Sequence, residues 1–265
     1  MKYKMKYKDI LFEIKNKVAT LTLNRPQALN ALTIDMFKEI NDALDFCEKE
    51  KDVHVIVITG NGRAFCAGDD IKSMTVNETA SIPEIADRVE FMTYPVTINK
   101  MRKLPKPIIC AVNGLCYGAG GEIAMGCDYI IMSEDATFGQ MYINVAEIGN
   151  TYLLPQQVGI KRAMEMLWSG RKITAQESLE LGMINKIVNK EEILSETRKY
   201  AEELAKGPIL AYGYAKIAIY ESLYKTVEEG LHIESFYAAQ LAKTKDHQEA
   251  VKAFIEKRKP VFTGE

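Results

Sequence analysis

The chain has 265 residues, 47% of them hydrophobic and 26% charged, enough for one large domain or a core with a small appendage. Lysine and arginine number 34 against 36 aspartates and glutamates, a near-balance that argues against a basic nucleic-acid face or a strongly acidic tail. The basic start MKYKMKYK has no apolar h-region behind it, and the longest apolar stretch, Pro107 to Met132, is broken by Asn113, Glu122 and Asp128, so neither a signal peptide nor a membrane span is expected and the location expected is cytoplasmic.

DILFEI and VATLTLN predict two short strands joined by a hairpin at Asn16-Lys17, with Asn24-Arg25-Pro26 ending the second. Thr33 fits a helix N-cap with Asp35 in the first turn, and Phe37, Ile40, Leu44 and Cys47 share one face of the helix that follows. VHVIVITG, from Val53 to Gly60, is apolar throughout, as a strand covered on both faces must be. A loop from Gly60 to Gly68 leads to Asp70 and a short helix. A mobile loop is expected over 75–82 and a helix over 83–103, carrying Val89, Met92, Val96 and Met101. Pro105 and Pro107 bracket the turn into a buried strand, Ile108 to Val112; a glycine-rich turn from Gly114 to Gly121, a short helix and the strand DYIIM come next. The rest is mostly helical, and Gly207-Pro208 is its clearest break. Beyond it, Phe236, Tyr237 and Leu241 lie on one amphipathic helix and Val251, Phe254 and Ile255 on another. The division expected is an α/β body over 1–206 and a helical region over 207–265.

Several chemistries lack their signature. There is no phosphate loop of the GxxxxGKS/T kind and no GxSxG elbow, and Ile123 stands where a dinucleotide fingerprint needs its third glycine. His54, His232 and His247 are far apart, and His54 sits inside a buried strand pattern, so it is expected to be a packed histidine and no metal site is supported. The five cysteines, Cys47, Cys66, Cys110, Cys116 and Cys127, show no CxxC spacing and are expected as buried, reduced thiols.

Two strand-to-helix turns share one design, Gly62 to Ile71 and Asn113 to Glu122. Small residues there let the backbone approach a ligand at a helix start, where N–H groups lack internal partners; two such turns aimed at one point make an oxyanion hole, while each alone is also an ordinary tight turn. Glu122 interrupts a run of small and apolar residues. A carboxylate so placed either answers the helix dipole or serves as a general base, and the sequence by itself leaves both open.

AFCAGDDIKSM and NGLCYGAGGEIAMGCDYIIMSEDATFG resemble the two oxyanion-hole segments of the crotonase, or enoyl-CoA hydratase/isomerase, superfamily. VHVIVITG, KPIICAVNG, ITAQESLELGMINKIV and EAVKAFIEKRKPVF fall in that family's order, so the resemblance runs from about residue 9 to 265. It implies a crotonase-like α/β spiral of ββα units with a C-terminal helical region for oligomerisation, as a trimer or a dimer of trimers. It also implies an acyl-CoA substrate with CoA as part of that substrate and no separate cofactor; the charge balance and the broken apolar stretch add the expectation of neither nucleic acid nor membrane as partner. By position, the backbone N–H groups of Asp69 and Ala119 would hold the thioester oxygen, with Ala67, Gly68 and Gly118 in the turns around it. Arg25 and Lys72 match positions near the nucleotide part of CoA, and Lys257 one that reaches a neighbouring subunit's CoA.

One departure bears on the reaction. Glu122 matches the first of two glutamates that hydratases use, but Tyr142 stands where the second belongs, and Glu147 follows five positions later. The expected function is enoyl-CoA hydratase/isomerase chemistry through a stabilised enolate, with Glu122 as acid/base. The alternatives are an acyl-CoA decarboxylase, in which Tyr142 or Asn144 orients the departing carboxylate, and a non-catalytic homologue binding CoA or RNA. The segment 75–104 is expected to line the acyl pocket, with Phe91, Met92 and Tyr94 as candidates.

Overall fold

The computed structural model describes residues 6–73 and 79–265. Of the loop expected to be mobile, positions 75–78 lie outside the described residues. Strands β1 (Ile10–Lys15) and β2 (Val18–Leu23) form the expected antiparallel hairpin, turning through Asn16 and Lys17, both at positive φ. Helix α1 (Ile34–Lys49) starts at Thr33, whose hydroxyl accepts the Met36 N–H, and buries Phe37, Ile40, Leu44 and Cys47. Then come β3 (Val55–Gly60), β4 (Ala64–Cys66), α2 (Ile82–Met92), α3 (Tyr94–Lys103), β5 (Ile108–Val112), β6 (Leu115–Tyr117), α4 (Ala119–Met125), β7 (Tyr129–Ser133) and β8 (Thr137–Gly139). The body closes with α5 (Leu153–Val158), α6 (Ile160–Ser169), β9 (Lys172–Thr174), α7 (Ala175–Glu180), β10 (Lys186–Val188) and α8 (Ile193–Leu204).

One sheet has the order β1-β2-β3-β5-β7-β10 and is parallel apart from the hairpin; the other has the order β4-β6-β8-β9 and is parallel apart from β8 against β9. Each of β3–β4, β5–β6 and β7–β8 puts one strand in the first sheet and the next in the second, so the chain winds as the expected spiral of strand pairs and helices. Ile56 and Ile58 of β3 face the main core against α1, while Val55 and Val57 face the opposite way and pack with Ile193 and Ala201 of α8. Both faces are covered, which is why this strand is apolar at every step. Burying each such side chain contributes about 1.5–3 kcal/mol.

Three sequence expectations change. The helix over 83–103 is two helices, broken at Thr93 (φ −130°, ψ −153°), because Pro95 cannot donate to the carbonyl a turn earlier. The short helix after Asp70 is a single 3-10 turn, Ile71–Ser73, so the first glycine turn does not open an α-helix. Of the individual strands of the second sheet, β4 and β6 stand where the sequence predicts turns and loops, and β8 and β9 where it predicts mostly helix.

Past the Gly207-Pro208 break lie α9 (Ile209–Ser222), α10 (Val227–Leu241) and α11 (Lys245–Ile255). Helix α9 is docked on the body: Lys216 Nζ pairs with Asp128 at 2.8 Å, and Gly213 leaves room for the Pro105 carbonyl. Helix α10 buries none of its residues in the single chain, and Val227, Leu231, Phe236, Phe254 and Ile255 are exposed. His54 is the packed histidine expected, with Nδ1 2.8 Å from the Ala205 carbonyl and its pKa lowered by burial. All five cysteines are free and buried.

Candidate active site

The two glycine turns come together at the edge of the second sheet, where β4 and β6 run side by side. Gly68 has φ +101°, a conformation that suits glycine, and a methyl there would lie 3.1 Å from the Tyr117 carbonyl and 3.6 Å from the Ala119 nitrogen. The chain then makes a parallel bridge from Asp69 to Leu32, with the Leu32 N–H on the Gly68 carbonyl and the Asp70 N–H on the Leu32 carbonyl. That pattern fixes the peptides on either side of the Asp69 N–H and, among the described residues, leaves this N–H out of the backbone pairing, with the residue's own carboxyl as its partner. Ala119, the first residue of α4, has the unpaired N–H of any helix start. Gly120 is pressed onto Cys66, which locks the second turn against the first.

Glu122 lies one helical turn into α4 and is only 3% exposed. Its Oε1 accepts two hydrogen bonds, from the Tyr142 hydroxyl at 2.6 Å and from the Asn150 backbone N–H at 2.8 Å. Burial pushes its carboxyl up to about 7, against the pull of those two bonds, and the charge of Asp69 adds to the rise. Asp69 is likewise raised, to about 6, by burial and by the charge of Glu147. Tyr142 is held well above the ordinary phenol range by burial and by the Glu122 charge.

Two cavities open from this point. The larger, about 610 Å³, is bordered by Arg25, Ala67, Gly68, Lys72 and Gly118 together with Asp69 and Tyr142. The smaller, about 130 Å³, is lined by Leu32, Ile34 and Phe37 from the α1 region, Ile85 and Val89 of α2, and Tyr94 of α3, again with Asp69 and Tyr142. Asp69 and Tyr142 are the residues the two linings share, so they mark the junction. Arg25 is paired with Asp70 at 2.9 Å, which holds the Asp70 carboxyl below its ordinary value. A third cavity, about 350 Å³, lies on the α8 face of the first sheet and contains none of the candidate residues. Among the described residues no group of histidine, cysteine, aspartate and glutamate side chains is placed to hold a metal ion.

Residues 13–265 match the enoyl-CoA hydratase/isomerase family. The 1,2-epoxyphenylacetyl-CoA isomerase of Escherichia coli K12 is 35% identical over 96% of this chain and 98% of its own length. The crotonyl-CoA hydratase of Syntrophomonas wolfei is 33% identical over 97% of this chain and 99% of its own. The crystal structure of an enoyl-CoA hydratase from Bacillus anthracis superposes with a TM-score of 0.89 at 31% identity, covering 97% of this chain and all of that one. The chain belongs to the enoyl-CoA hydratase/isomerase family. Enzymes of this crotonase family act on CoA thioesters, generally without a separate cofactor.

Within that family frame, the structure gathers Asp69, Gly68, Ala67, Gly118, Tyr142, Arg25 and Lys72 around one cavity. Ala119 and Glu122 are buried just behind the junction, with Tyr142 between Glu122 and the open space. Lys257 is exposed and borders neither cavity of its own chain. Of the acyl-pocket candidates, Tyr94 lines the smaller cavity, whereas Phe91 and Met92 face outward. Glu147 lines that cavity beside Asp69. Sequence reasoning missed Gly149 and Asn150. A methyl on Gly149 would collide with the Tyr142 ring and stand 2.8 Å from Glu122 Oε1. Asn150 holds its left-handed turn by accepting the Leu154 N–H, which aims its own N–H at Glu122.

Proposed function

We propose that this enzyme adds water to an enoyl-CoA, or shifts its double bond, through a thioester enolate held by the N–H groups of Asp69 and Ala119. The CoA moiety occupies the larger cavity, with Arg25 and Lys72 on the side of its phosphates, and the acyl chain enters the smaller, apolar one. The Tyr142 hydroxyl donates to Glu122 and Tyr142 lines both cavities, so the pair acts as a unit: as a proton reaches the phenol oxygen from water or substrate, the phenol proton passes to Glu122. The observation that carries this reading is Glu122 itself, a buried carboxyl raised to about 7, one turn from the Ala119 N–H at the start of α4. Decarboxylation is less well served. The Tyr142 hydroxyl is already committed to Glu122, and a substrate carboxylate oriented there would meet the Glu122 charge.

Turnover of a panel of enoyl-CoAs and malonyl-type CoAs tests the assignment. Glu122→Gln should lower the hydration or isomerisation rate about 10²–10⁴-fold while acetoacetyl-CoA still binds in calorimetry. Near-full turnover by Glu122→Gln would make this carboxyl structural and put decarboxylation first.

We also propose that the region 207–265 assembles copies of the chain, as a trimer or a dimer of trimers. The support is the apolar face of α10 and α11, which the single chain leaves uncovered. A monomer of 29.8 kDa in sedimentation at micromolar concentration would contradict it.

A further inference from the structure

Resting on the enolate reading above, we infer that the side-chain carboxyl of Asp69 is the second acid/base group of this site, giving the α-carbon its proton while Glu122 takes up the one released by water. The backbone N–H of this residue belongs to the oxyanion hole; its carboxyl is a separate matter, and three observations point to it.

The first is position. A thioester whose nucleotide end fills the larger cavity and whose acyl chain fills the smaller must pass its carbonyl, α- and β-carbons through the junction between them. Asp69 and Tyr142 are the residues common to both linings, and of the two only Asp69 bears a carboxyl. The second is the position of Glu122, which lies behind Tyr142 and borders neither cavity. A proton delivered to carbon needs a donor in contact with that carbon, and a shielded carboxylate does not provide one. The third is the difference in surroundings. Glu122 accepts two hydrogen bonds that favour its ionised form, from Tyr142 and Asn150. Among the described residues no other residue donates such a bond to the Asp69 carboxyl, which has only its own backbone N–H; the cavity around it is lined by Leu32, Phe37, Ile85 and Val89, with Arg88 of α2 as the one cation and Glu147 and Glu122 as the nearby anions. Both carboxyls are raised in the free protein, Glu122 to about 7 and Asp69 to about 6, so what separates their roles is the enolate charge that arrives beside Asp69.

In the free protein, burial and the Glu147 charge already raise the Asp69 carboxyl. An enolate oxygen resting on the Asp69 N–H brings a further negative charge beside that carboxyl and favours its neutral form, the form that donates. The other titratable groups around it are Arg88 of α2, Tyr94 of α3 and Tyr142, with Arg25, Asp70 and Lys72 on the nucleotide side. For hydration the step balances as follows. The water oxygen bonds to the β-carbon, its proton passes by way of the Tyr142 hydroxyl to Glu122, and the π electrons move to the thioester oxygen. The enolate then collapses, re-forming the carbonyl, and the new bond at the α-carbon is made to the Asp69 proton. Glu122 releases a proton to solvent and Asp69 regains one, so the net change is addition of one water.

Asp69→Asn and Asp69→Ala keep the backbone N–H and remove only the carboxyl. With crotonyl-CoA as probe, both should lower kcat by about 10²–10⁴-fold. The affinity for acetoacetyl-CoA, which reads the oxyanion hole and the CoA cavity, should change less than about threefold, a factor below the tenfold that corresponds to about 1.4 kcal/mol. The residual activity should also lose the alkaline limb of the kcat profile, since that limb reports the acid of the bound complex; a merely structural role would leave its position unmoved. Variants that turn over crotonyl-CoA within about threefold of the parent, with the alkaline limb intact, would overturn the inference and leave the enolate reading standing. A parent enzyme that neither binds acetoacetyl-CoA nor turns over any enoyl-CoA would overturn both.

Discussion

Glu122→Gln should make stability less dependent on pH, and the size of the effect follows from the burial of one carboxyl. Glu122 is raised from an ordinary 4.5 to about 7 in the folded protein, chiefly by burial. The folded state therefore holds its proton more tightly than the unfolded chain does. This contribution is fully present below about 4.5, is lost as pH rises through about 7, and is level above that. At about 1.4 kcal/mol per pH unit the whole effect is about 3.5 kcal/mol, and about 2.5 kcal/mol of it falls between about pH 5 and about pH 8.5. Glutamine fills the same space and can accept the same two hydrogen bonds, but it cannot ionise. Its amide protons, left without partners, impose a cost that does not vary with pH. Denaturant unfolding of parent and variant at the two pH values should show the variant gaining about 2.5 kcal/mol on the parent between them. A difference between the two proteins that stays constant within about 0.5 kcal/mol, inside ordinary extrapolation error, would refute the claim that Glu122 ionises against its surroundings.

Tyr142→Phe removes a hydrogen bond that favours the Glu122 carboxylate, so the acid limb of the pH–rate profile should move upward by about one pH unit or more, with a loss of turnover. Gly149→Ala places a methyl into the Tyr142 ring and beside Glu122; it should cost about 1–3 kcal/mol in denaturant unfolding and abolish most activity, as overpacking displaces the pair. Lys216→Ala leaves Asp128 buried without its cation and should destabilise the protein by about 3–5 kcal/mol, measured the same way, whereas Lys257→Ala at an exposed site should be within about 0.5 kcal/mol of the parent.

Long, periodic segments were readable without coordinates. Helix α1 declared itself through its Thr33 cap and the spacing of Phe37, Ile40, Leu44 and Cys47, and β3 through an unbroken apolar run. The oxyanion turns were visible as glycines ahead of Asp69 and around Ala119, and Glu122 as a carboxyl in a place unsuited to one. The second sheet was invisible because β4, β6, β8 and β9 have three residues each, too few to show a period of two. Pro95 lies inside the 83–103 pattern and breaks it, since its nitrogen has no proton for the helix. Gly149 and Asn150 left no local sign. Their part depends on a backbone N–H meeting a side chain 28 positions away, a distance in sequence that only packing closes. Nor could the sequence show that Tyr142 would shield Glu122, since that depends on where the loop after β8 lies against α4.

The five buried thiols give the folded protein a set of internal clocks. Burial pushes Cys47 and Cys66 up to about 12 and Cys110 and Cys116 well above the ordinary thiol range, so in the closed structure none of these four is ionised. An alkylating reagent attacks the exposed thiolate, which means each cysteine reacts only in the moments when its own surroundings open. Cys47 sits on α1, Cys110 in the middle of β5, and Cys66 beneath Gly120 where the two turns meet. Labelling rates read cysteine by cysteine would therefore time the opening of the helical layer, of the central sheet and of the oxyanion turns separately, in the native sequence and without an added probe.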